Sequence, residues 1–341
     1  MYSFLRNLLF CLPAEASHKL ALNTMSLSRQ IHLSPLIAAD NKGLATPKTV
    51  MGVEFPHIVG LAAGLDKNAD HIDALEALGF GFVEVGTLTP RPQPGNPKPR
   101  LFRLASEQAI INRMGFNNKG IDHALKKIAQ RRGNAVLGIN IGKNFDTPVE
   151  QANDDYIICL QKSYEFADYI TINISSPNTP GLRTLQYGDE LNGLLDSLKQ
   201  EQARLEVMHG RHVPLAVKLA PDLTDDEIRT CCESIKSRDI EGIIATNTTL
   251  DKSKVKQHKH GSEAGGLSGA PLTEAACEVV GKIRDEVGSG FPIIGVGGIM
   301  NGEQAAARLD AGANLLQIYS GFIYSGPNLI RDILIADKAR G

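Results

Sequence analysis

Amide and hydroxyl side chains follow a short apolar run near the middle of the chain. Residues 169–174 are rich in β-branched types, as in a buried strand, and a loop broken by prolines follows them. Asn173, Ser175, Ser176 and Asn178 lie at this junction. A carboxamide can donate to an anion and accept from an imide N–H, and a hydroxyl can relay a proton if its ionisation is stabilised. The same side chains could instead satisfy only the backbone of a turn.

Composition limits the class of protein. With 341 residues, 42% of them hydrophobic, the chain can form one barrel domain of about 250 residues with roughly 90 left for extensions. A formal net charge of −2 offers no broad basic field for nucleic acid. We therefore expect no nucleic-acid partner, and any anion site must be local.

The cysteines and histidines do not form a metal-binding pattern. Five cysteines without a C-x-x-C pair predict reduced, structural thiols, although the adjacent Cys231 and Cys232 could be a redox device if they did not fall inside a helical pattern. His258 and His260 have no carboxylate or thiol pattern beside them and predict a solvated loop. We expect no metal site.

Strand-like runs alternate with amphipathic helical segments after residue 47. This alternation predicts a (β/α)8 TIM barrel in the α/β class. A doubly wound sheet would explain fewer strands and needs a glycine fingerprint that the segment 295–300 does not complete. The eight runs are residues 58–61, 82–86, 136–141, 169–174, 215–219, 242–246, 293–296 and 315–319.

The ends of these strands carry amides, hydroxyls, lysines and glycines, with hardly a carboxylate. Because function in such barrels sits at the carboxyl ends of the strands, this lining predicts a polar, anionic ligand rather than a metal. Gly297-Gly298 and Ser320-Gly321 follow the last two strands, where barrels commonly bind phosphate through backbone N–H groups. Ordinary turn glycines are the alternative.

Two segments lie outside the repeating pattern. The insertion around residues 89–116 is rich in proline and contains two short apolar runs, which predicts a small hairpin that is either a lid or an inert excursion. Residues 265–269 could enclose the same ligand or form a flexible loop. Residues 1–34 predict a helical hairpin with exposed apolar residues, either packed on its own domain or touching a membrane surface.

The assembled motifs resemble those of dihydroorotate dehydrogenases, specifically the membrane-associated, quinone-using class. The resemblance covers nearly the whole chain. Its motifs are Gly60-Leu-Ala-Ala-Gly-Leu-Asp-Lys67, Gly86-Thr-Leu-Thr-Pro-Arg-Pro-Gln-Pro-Gly95, Ile111-Asn-Arg-Met-Gly-Phe-Asn117, Asn173-Ile-Ser-Ser-Pro-Asn178 and Gly295-Val-Gly-Gly-Ile299.

The resemblance implies oxidation of dihydroorotate to orotate in pyrimidine synthesis, with FMN as cofactor. Ser176 would match the base that removes the C5 proton as hydride leaves C6 for flavin N5, a position that holds cysteine in the soluble class. The substrate-binding residues would be Lys67, Asn112, Arg113, Met114, Gly115, Phe116, Asn173, Asn178, Asn247 and Thr248. The FMN site would be Ala63, Gly64, Leu65, Asp66, Lys67, Thr87, Asn140, Asn173, Lys218, Thr246, Gly269, Gly298, Tyr319 and Ser320.

The resemblance also divides the chain. Residues 1–40 would be a helical hairpin that contacts membrane and quinone, and residues 41–341 the FMN-binding barrel with its lid. The protein would then be peripheral, on the cytoplasmic face of the inner (plasma) membrane, with contact through residues 1–34. Two other readings stay open on the residues alone: a barrel aldolase or isomerase with a Schiff base on Lys67 or Lys218, and a non-catalytic barrel that binds a phosphorylated ligand.

Overall fold

Eight parallel strands close into a barrel in the computed structural model, which describes residues 2–340. The order around the barrel is β3, β4, β7, β8, β9, β10, β12 and β13. The strands are β1 Lys48–Val50, β2 Val53–Phe55, β3 Val59–Leu61, β4 Phe82–Leu88, β5 Leu101–Leu104, β6 Ala109–Asn112, β7 Val136–Ile141, β8 Tyr169–Asn173, β9 Leu215–Leu219, β10 Gly242–Ala245, β11 Gly266–Gly269, β12 Ile293–Val296 and β13 Leu315–Ile318. The predicted (β/α)8 barrel is confirmed, and its eight strands lie within two residues of the expected runs.

The helices surround the barrel and extend beyond it at the amino terminus. They are α1 Tyr2–Phe10, α2 Ala14–Gln30, α3 Ile72–Glu76, α4 Ile121–Ile128, α5 Ala152–Ser163, α6 Gly188–His209, α7 Asp225–Ser237, α8 Thr273–Val287, α9 Gly302–Asp310, α10 Ser320–Ser325 and α11 Asn328–Lys338. The sequence before helix α7 forms a capping box, which fixes where that helix begins. Thr224 Oγ1 accepts from the backbone N–H of Glu227, whose carboxylate accepts from the Thr224 N–H at 2.7 Å.

A two-stranded hairpin covers the amino-terminal end of the barrel. Strands β1 and β2 pair antiparallel, and Phe55 at the end of β2 is fully buried. Its ring centroid lies 5.0 Å from that of Phe82 in a T-shaped arrangement. The sequence analysis did not anticipate this hairpin, which closes the end of the barrel opposite the predicted site.

The insertion forms a small sheet at the carboxyl-terminal end of the barrel. Strands β5 and β6 pair antiparallel, which confirms the predicted hairpin. Strand β11 pairs with the other edge of β6, so the segment that could have been a flexible loop is instead an ordered third strand. The insertion is thereby tied to the chain that follows β10.

Helices α1 and α2 confirm the predicted helical hairpin for residues 2–30, while Met1 lies outside the described residues. The hairpin is fixed to the barrel and the insertion: the Tyr2 hydroxyl donates to the Ile323 carbonyl at 2.7 Å, and Glu15 pairs with Arg100 at 2.9 Å. It also exposes large apolar side chains to solvent. These are Phe4, Leu5, Leu8, Leu12, Leu20 and Leu27, continued by Ile31, Leu33 and Leu36.

All five cysteines are unpaired. Cys231 and Cys232 are both buried within α7, which confirms that this pair belongs to a packed helix. Within residues 2–340, no three His, Cys, Asp or Glu side chains are grouped so that they could hold a metal ion. Over the same residues, no helix has the length and apolar character needed to span a bilayer.

Candidate active site

A cavity of about 1020 Å³, including its mouth, lies at the carboxyl ends of the barrel strands. It is bounded by strand ends on one side and by the sheet of β5, β6 and β11 on the other. Most residues predicted for the site line it. They are Ala63, Gly64, Lys67, Thr87, Asn112, Met114, Gly115, Phe116, Asn173, Ser176, Asn178, Lys218, Thr246, Asn247, Thr248, Gly269, Gly298, Tyr319 and Ser320.

Four residues of the predicted set do not line this cavity. Leu65 lines a neighbouring cavity instead. The buried carboxylate of Asp66 turns back on its own loop and accepts the backbone N–H of His71 at 2.7 Å. Arg113 forms an ion pair with Glu263 at 2.8 Å. The fourth residue, Asn140 of β7, lies one layer below the cavity.

Asn173, at the end of β8, is the centre of a hydrogen-bond network. Its Nδ2 donates to Thr87 Oγ1 at 2.8 Å and to Asn140 Oδ1 at 3.2 Å, so Asn140 orients two cavity residues from below. Its Oδ1 accepts from Asn247 Nδ2 at 3.3 Å, and Asn247 also donates to Ser175 Oγ at 3.0 Å. The ends of four strands, β4, β7, β8 and β10, are thereby locked together, and the carboxamides of Asn173 and Asn247 lie at the cavity in fixed orientations.

Ser176 lies at the cavity wall with 6% of its surface exposed. Its Oγ accepts the backbone N–H of Asn178 at 3.3 Å, and Asn178 Nδ2 in turn donates to Asn112 Oδ1 of β6 at 3.3 Å. Among residues 2–340, no imidazole or carboxylate is hydrogen-bonded to the Ser176 hydroxyl. Any ionisation of this hydroxyl must therefore be stabilised by bound groups, water or nearby positive charge.

Two lysines bring positive charge to the cavity. Lys67 Nζ donates to the Gly64 carbonyl at 2.5 Å, and burial together with the charge of Arg100 lowers the pKa of Lys67 to about 8. Burial also lowers the pKa of Lys218, and the negative charge of Glu84 opposes that shift. Each lysine would be stabilised as a cation by an anionic ligand.

A buried carboxylate below the cavity fixes a residue that the sequence analysis missed. Glu84 is fully buried and accepts from Asn140 Nδ2 at 2.8 Å, the Tyr169 hydroxyl at 3.0 Å and Gln317 Nε2 at 2.6 Å. Gln317 lines the cavity, and its buried Oε1 has no partner among residues 2–340. A polar residue inside the apolar run of β13 was the available signal. Beyond the predicted site set, the lining includes Ala62, Ser268, Leu272, Val296, Gly297, Ile299, Gln317, Ile318 and Gly321.

Glycine allows close approach of backbone at one end of the cavity. Gly298 has φ +68°, and a Cβ atom there would lie 2.3 Å from the Cα atom of Thr273. The Thr273 hydroxyl donates to the Gly298 carbonyl at 2.6 Å. Nearby, the hydroxyls of Ser268 and Ser320 lie 2.8 Å apart. Backbone N–H groups and hydroxyls are thus grouped at the ends of β12 and β13, as a phosphate would require.

Comparison with known families decides the classification. The family model described as dihydroorotate dehydrogenase matches residues 45–336. The chain belongs to the dihydroorotate dehydrogenase family. It is 55% identical to a dihydroorotate dehydrogenase (quinone) of Marinobacter nauticus over 98% of both chains. It is 54% identical to the protein of the same name from Pseudomonas aeruginosa, over 99% of this chain and 98% of that one.

Solved structures of dihydroorotate dehydrogenases share the fold. The crystal structure of DHODH from Eimeria tenella in complex with ferulenol is 37% identical, with a TM-score of 0.87 over 96% of this chain and 92% of that chain. Its ligand-free form gives a TM-score of 0.85 at 38% identity, over 94% and 95% of the two chains. The barrel therefore lies within the shared architecture.

This dihydroorotate dehydrogenase family member has a second cavity, of about 750 Å³ including its mouth, between the helical hairpin and the barrel. Its lining is largely apolar, and Tyr319 borders both cavities. Arg103 stacks over the Phe10 ring at 4.5 Å and donates to the Phe10 carbonyl at 3.2 Å. Burial, with the charge of Lys67, lowers the pKa of His18 to about 4, so this imidazole is neutral at pH 7.

Proposed function

We propose that this chain is an FMN-dependent enzyme that oxidises (S)-dihydroorotate to orotate and passes the electrons to a membrane quinone, within de novo synthesis of UMP. The observation that carries the proposal is the placement of the Ser176 hydroxyl and the Lys67 ammonium in one cavity lined by oriented carboxamides. A hydroxyl that can lose a proton and a cation that can bind a carboxylate are the two groups that this oxidation requires. Membership of the dihydroorotate dehydrogenase family supports the same conclusion.

The cavity suits FMN in its donors and acceptors. Gly298 and Ser320 would hold the phosphate, since backbone and hydroxyl groups lie together there. The unpartnered Oε1 of Gln317 is available to a ring N–H, and Lys218 would favour negative charge on the ring. When bound, FMN accepts hydride from the substrate and later passes electrons to the quinone.

The remaining cavity residues would bind the pyrimidine. Lys67 would hold the substrate carboxylate through a charge-assisted hydrogen bond. Asn112 and Asn178, which already hydrogen-bond to each other, would bind the ring from the lid side, while Asn173 and Asn247 would do so from the strand ends. Residues 112–116 would cover the substrate, which makes the insertion a lid.

Ser176 would remove the C5 proton. The serine hydroxyl is a weak base at neutral pH, so Oγ would pass its own proton to water as it takes the C5 proton from carbon. Burial of Ser176 and the hydrogen bond from the Asn178 N–H restrict the hydroxyl for this step. Thr248 would be a further polar contact to the substrate, and Thr87 and Thr246 would be polar contacts to the cofactor.

The hairpin would serve the quinone. Its cavity is apolar, shares Tyr319 with the catalytic cavity, and lies beneath helices whose outer surfaces expose Phe4 and Leu8. A lipid-soluble acceptor could enter there from a membrane surface. We therefore propose a hairpin domain of residues 1–40 on a catalytic barrel of residues 41–341, bound to the cytoplasmic face of the inner membrane.

Flavin colour tests the catalytic half of this proposal. The purified protein should be yellow, and anaerobic addition of dihydroorotate should bleach it in a single turnover, while a sugar phosphate should not. The lowered pKa of Lys67 would also suit a Schiff-base aldolase. A colourless protein that borohydride traps on a lysine in the presence of a carbonyl substrate would establish that alternative and refute ours.

A further inference from the structure

Arg308, on the inner side of α9, is a buried cation that the catalytic proposal leaves unexplained. Its residue surface is 1% exposed, and it lies against β12 where Gly295 leaves room for it: a Cβ atom on Gly295 would come within 2.7 Å of Arg308 Cγ. No carboxylate among residues 2–340 lies within 4.0 Å of its guanidinium. A buried charge without a counter-ion is unfavourable, so a compensating anion is to be expected nearby.

The guanidinium holds the glycine loop that we assign to the phosphate. Its Nη1 donates to the Val296 carbonyl at 3.0 Å, and its Nη2 donates to the carbonyls of Gly297 at 2.9 Å and Thr273 at 3.1 Å. Three carbonyls from two neighbouring loops are thereby drawn to one side. Burial lowers the pKa of Arg308, but an arginine keeps its charge at neutral pH.

The same contacts leave backbone donors on the other side of the loop. The peptide that joins Gly297 to Gly298 is planar and trans, so its N–H points away from Arg308 when its carbonyl points toward it. Neither Gly298 nor Ile299 donates its backbone N–H to another group within residues 2–340. Both residues line the catalytic cavity.

We infer that Arg308 is a positioning residue for the cofactor phosphate: it holds the Gly297-Gly298 loop with its N–H groups free, and its buried charge selects a phosphorylated flavin over an unphosphorylated one. This inference rests on the proposed FMN site. The phosphate supplies the missing negative charge without touching the guanidinium, because the loop lies between them. The attraction acts through a low-dielectric interior and is screened little by salt.

A competition between two flavins tests the inference directly. Holoenzyme is equilibrated with an excess of FMN and riboflavin in equal amounts, and the bound flavins are separated and quantified. Arg308→Gln keeps hydrogen-bond donors for the carbonyls but removes the charge, so the bound ratio of FMN to riboflavin should fall by about tenfold or more. Arg308→Lys keeps the charge and should stay within about threefold of the wild-type ratio.

A ratio unaffected by Arg308→Gln would overturn the inference, and so would equal losses in the Gln and Lys variants, because then the charge would not matter. The ratio compares two ligands on the same protein, so a general loss of stability does not change it. Wild-type protein that binds neither flavin would refute the proposed FMN site itself.

A second pair of variants leaves Arg308 in place, in case its neutral replacement does not fold. Cys277 on α8 lies beside the guanidinium and is partly buried. Cys277→Asp places a carboxylate next to Arg308, which should neutralise its field and lower the FMN preference by several-fold. Cys277→Ser is the matched control and should keep the wild-type ratio. Equal ratios in the Asp and Ser variants would overturn the inference.

Discussion

The two cavities meet at Tyr319, yet they are built in opposite ways. The catalytic cavity is surrounded by carboxamides and hydroxyls that hydrogen-bond to one another, as Asn173 does with Thr87 and Asn247. The hairpin cavity is lined largely by apolar side chains from α1, α2, the insertion and the barrel. Polar networks fix orientation, whereas apolar contacts are non-directional and tolerate different shapes.

Tyr319 belongs to both environments without carrying charge. Burial raises the pKa of its hydroxyl to about 12, so the phenol stays neutral at pH 7. Its OH donates weakly to the Gly64 carbonyl at 3.4 Å. The difference between the cavities implies that single substitutions in the polar one should have large, specific effects, while those in the hairpin should have smaller effects on one half-reaction.

The largest effect is expected from Ser176→Ala. Removal of a positioned general base should slow flavin reduction by dihydroorotate by a factor of about 10²–10⁴. Orotate binding and FMN content should change little, since the Ser176 hydroxyl accepts only one weak backbone hydrogen bond, at 3.3 Å. Stopped-flow absorbance of the flavin measures the rate. Near-normal flavin reduction would remove Ser176 from the base role.

The sequence predicted the barrel strands and the residues at their ends, but it did not predict the roles of polar residues inside the strands. Apolar runs located every barrel strand, because buried parallel strands are hydrophobic along their length. Residues at the ends of those strands could be assigned to one cavity by topology alone. Gln317 and Glu84 were missed because they lie inside strands, where a polar residue gives no indication of which cavity or network it joins.

The direction of a side chain and its pairing with distant residues could not be predicted from the local sequence. Asp66 lies in a motif that suggested cofactor binding, but its carboxylate caps its own loop, and no spacing rule gives that rotation. Strand β11 has the sequence Gly-Leu-Ser-Gly, which has low strand propensity, and it is a strand because it pairs with β6. Both outcomes depend on tertiary contacts rather than on local sequence.

The second prediction concerns the ligand charge. Lys67→Ala removes a cation from a desolvated site, so orotate should bind about 10-fold to over 100-fold more weakly, equivalent to roughly 1.5–3 kcal/mol. Titration of the oxidised flavin spectrum with orotate measures the dissociation constant. Unchanged affinity would show that Lys67 does not face the substrate carboxylate.

The pH dependence of the same titration provides its control. Burial lowers the pKa of Lys67 to about 8 in the free protein, and an anion favours the charged form. Wild-type affinity should therefore be greatest below pH 8 and fall by up to about tenfold per pH unit above it. In the Lys67→Ala protein this dependence should be absent, and a slope that persists there would assign it to another group.

The third prediction concerns the hairpin surface. Phe4 is 75% exposed, and its transfer to a lipid interface would contribute about 1.5–3 kcal/mol. Phe4→Ser should thus weaken binding to anionic liposomes by about tenfold and reduce turnover with a long-tailed quinone at limiting lipid. Flavin reduction and turnover with a soluble dye should stay unchanged. Val207→Ser, at an 86% exposed position on α6, is the matched control. Equal effects of the two variants would argue against a membrane contact through the hairpin.

The smallest effect concerns how the hairpin is attached. Glu15 on α2 pairs with Arg100 at 2.9 Å, and Arg100 also donates to the carbonyls of Pro94 at 2.6 Å and Asn96 at 2.9 Å. Burial alone would raise the pKa of Glu15, but the hydrogen bond and charge of Arg100 outweigh it and hold the pKa below its ordinary value. The pair of Glu15 and Arg100 is therefore one of several polar contacts between the hairpin and the insertion, alongside those that Arg103 makes with the carbonyls of α1 and the loop after it.

Glu15→Gln should weaken this attachment by about 1 kcal/mol, which would speed hydrogen exchange in residues 2–30 about fivefold at pH 7. Because the pKa of Glu15 is lowered in the folded protein, its contribution is present above about pH 4.3 and lost as the pH falls through the lower value. The wild-type hairpin should thus loosen in acid with a step that the variant lacks. Glu263→Gln, which breaks the ion pair with Arg113, should leave exchange in the hairpin unchanged. Identical acid profiles for wild type and Glu15→Gln would show that the Glu15–Arg100 pair does not help to hold the hairpin.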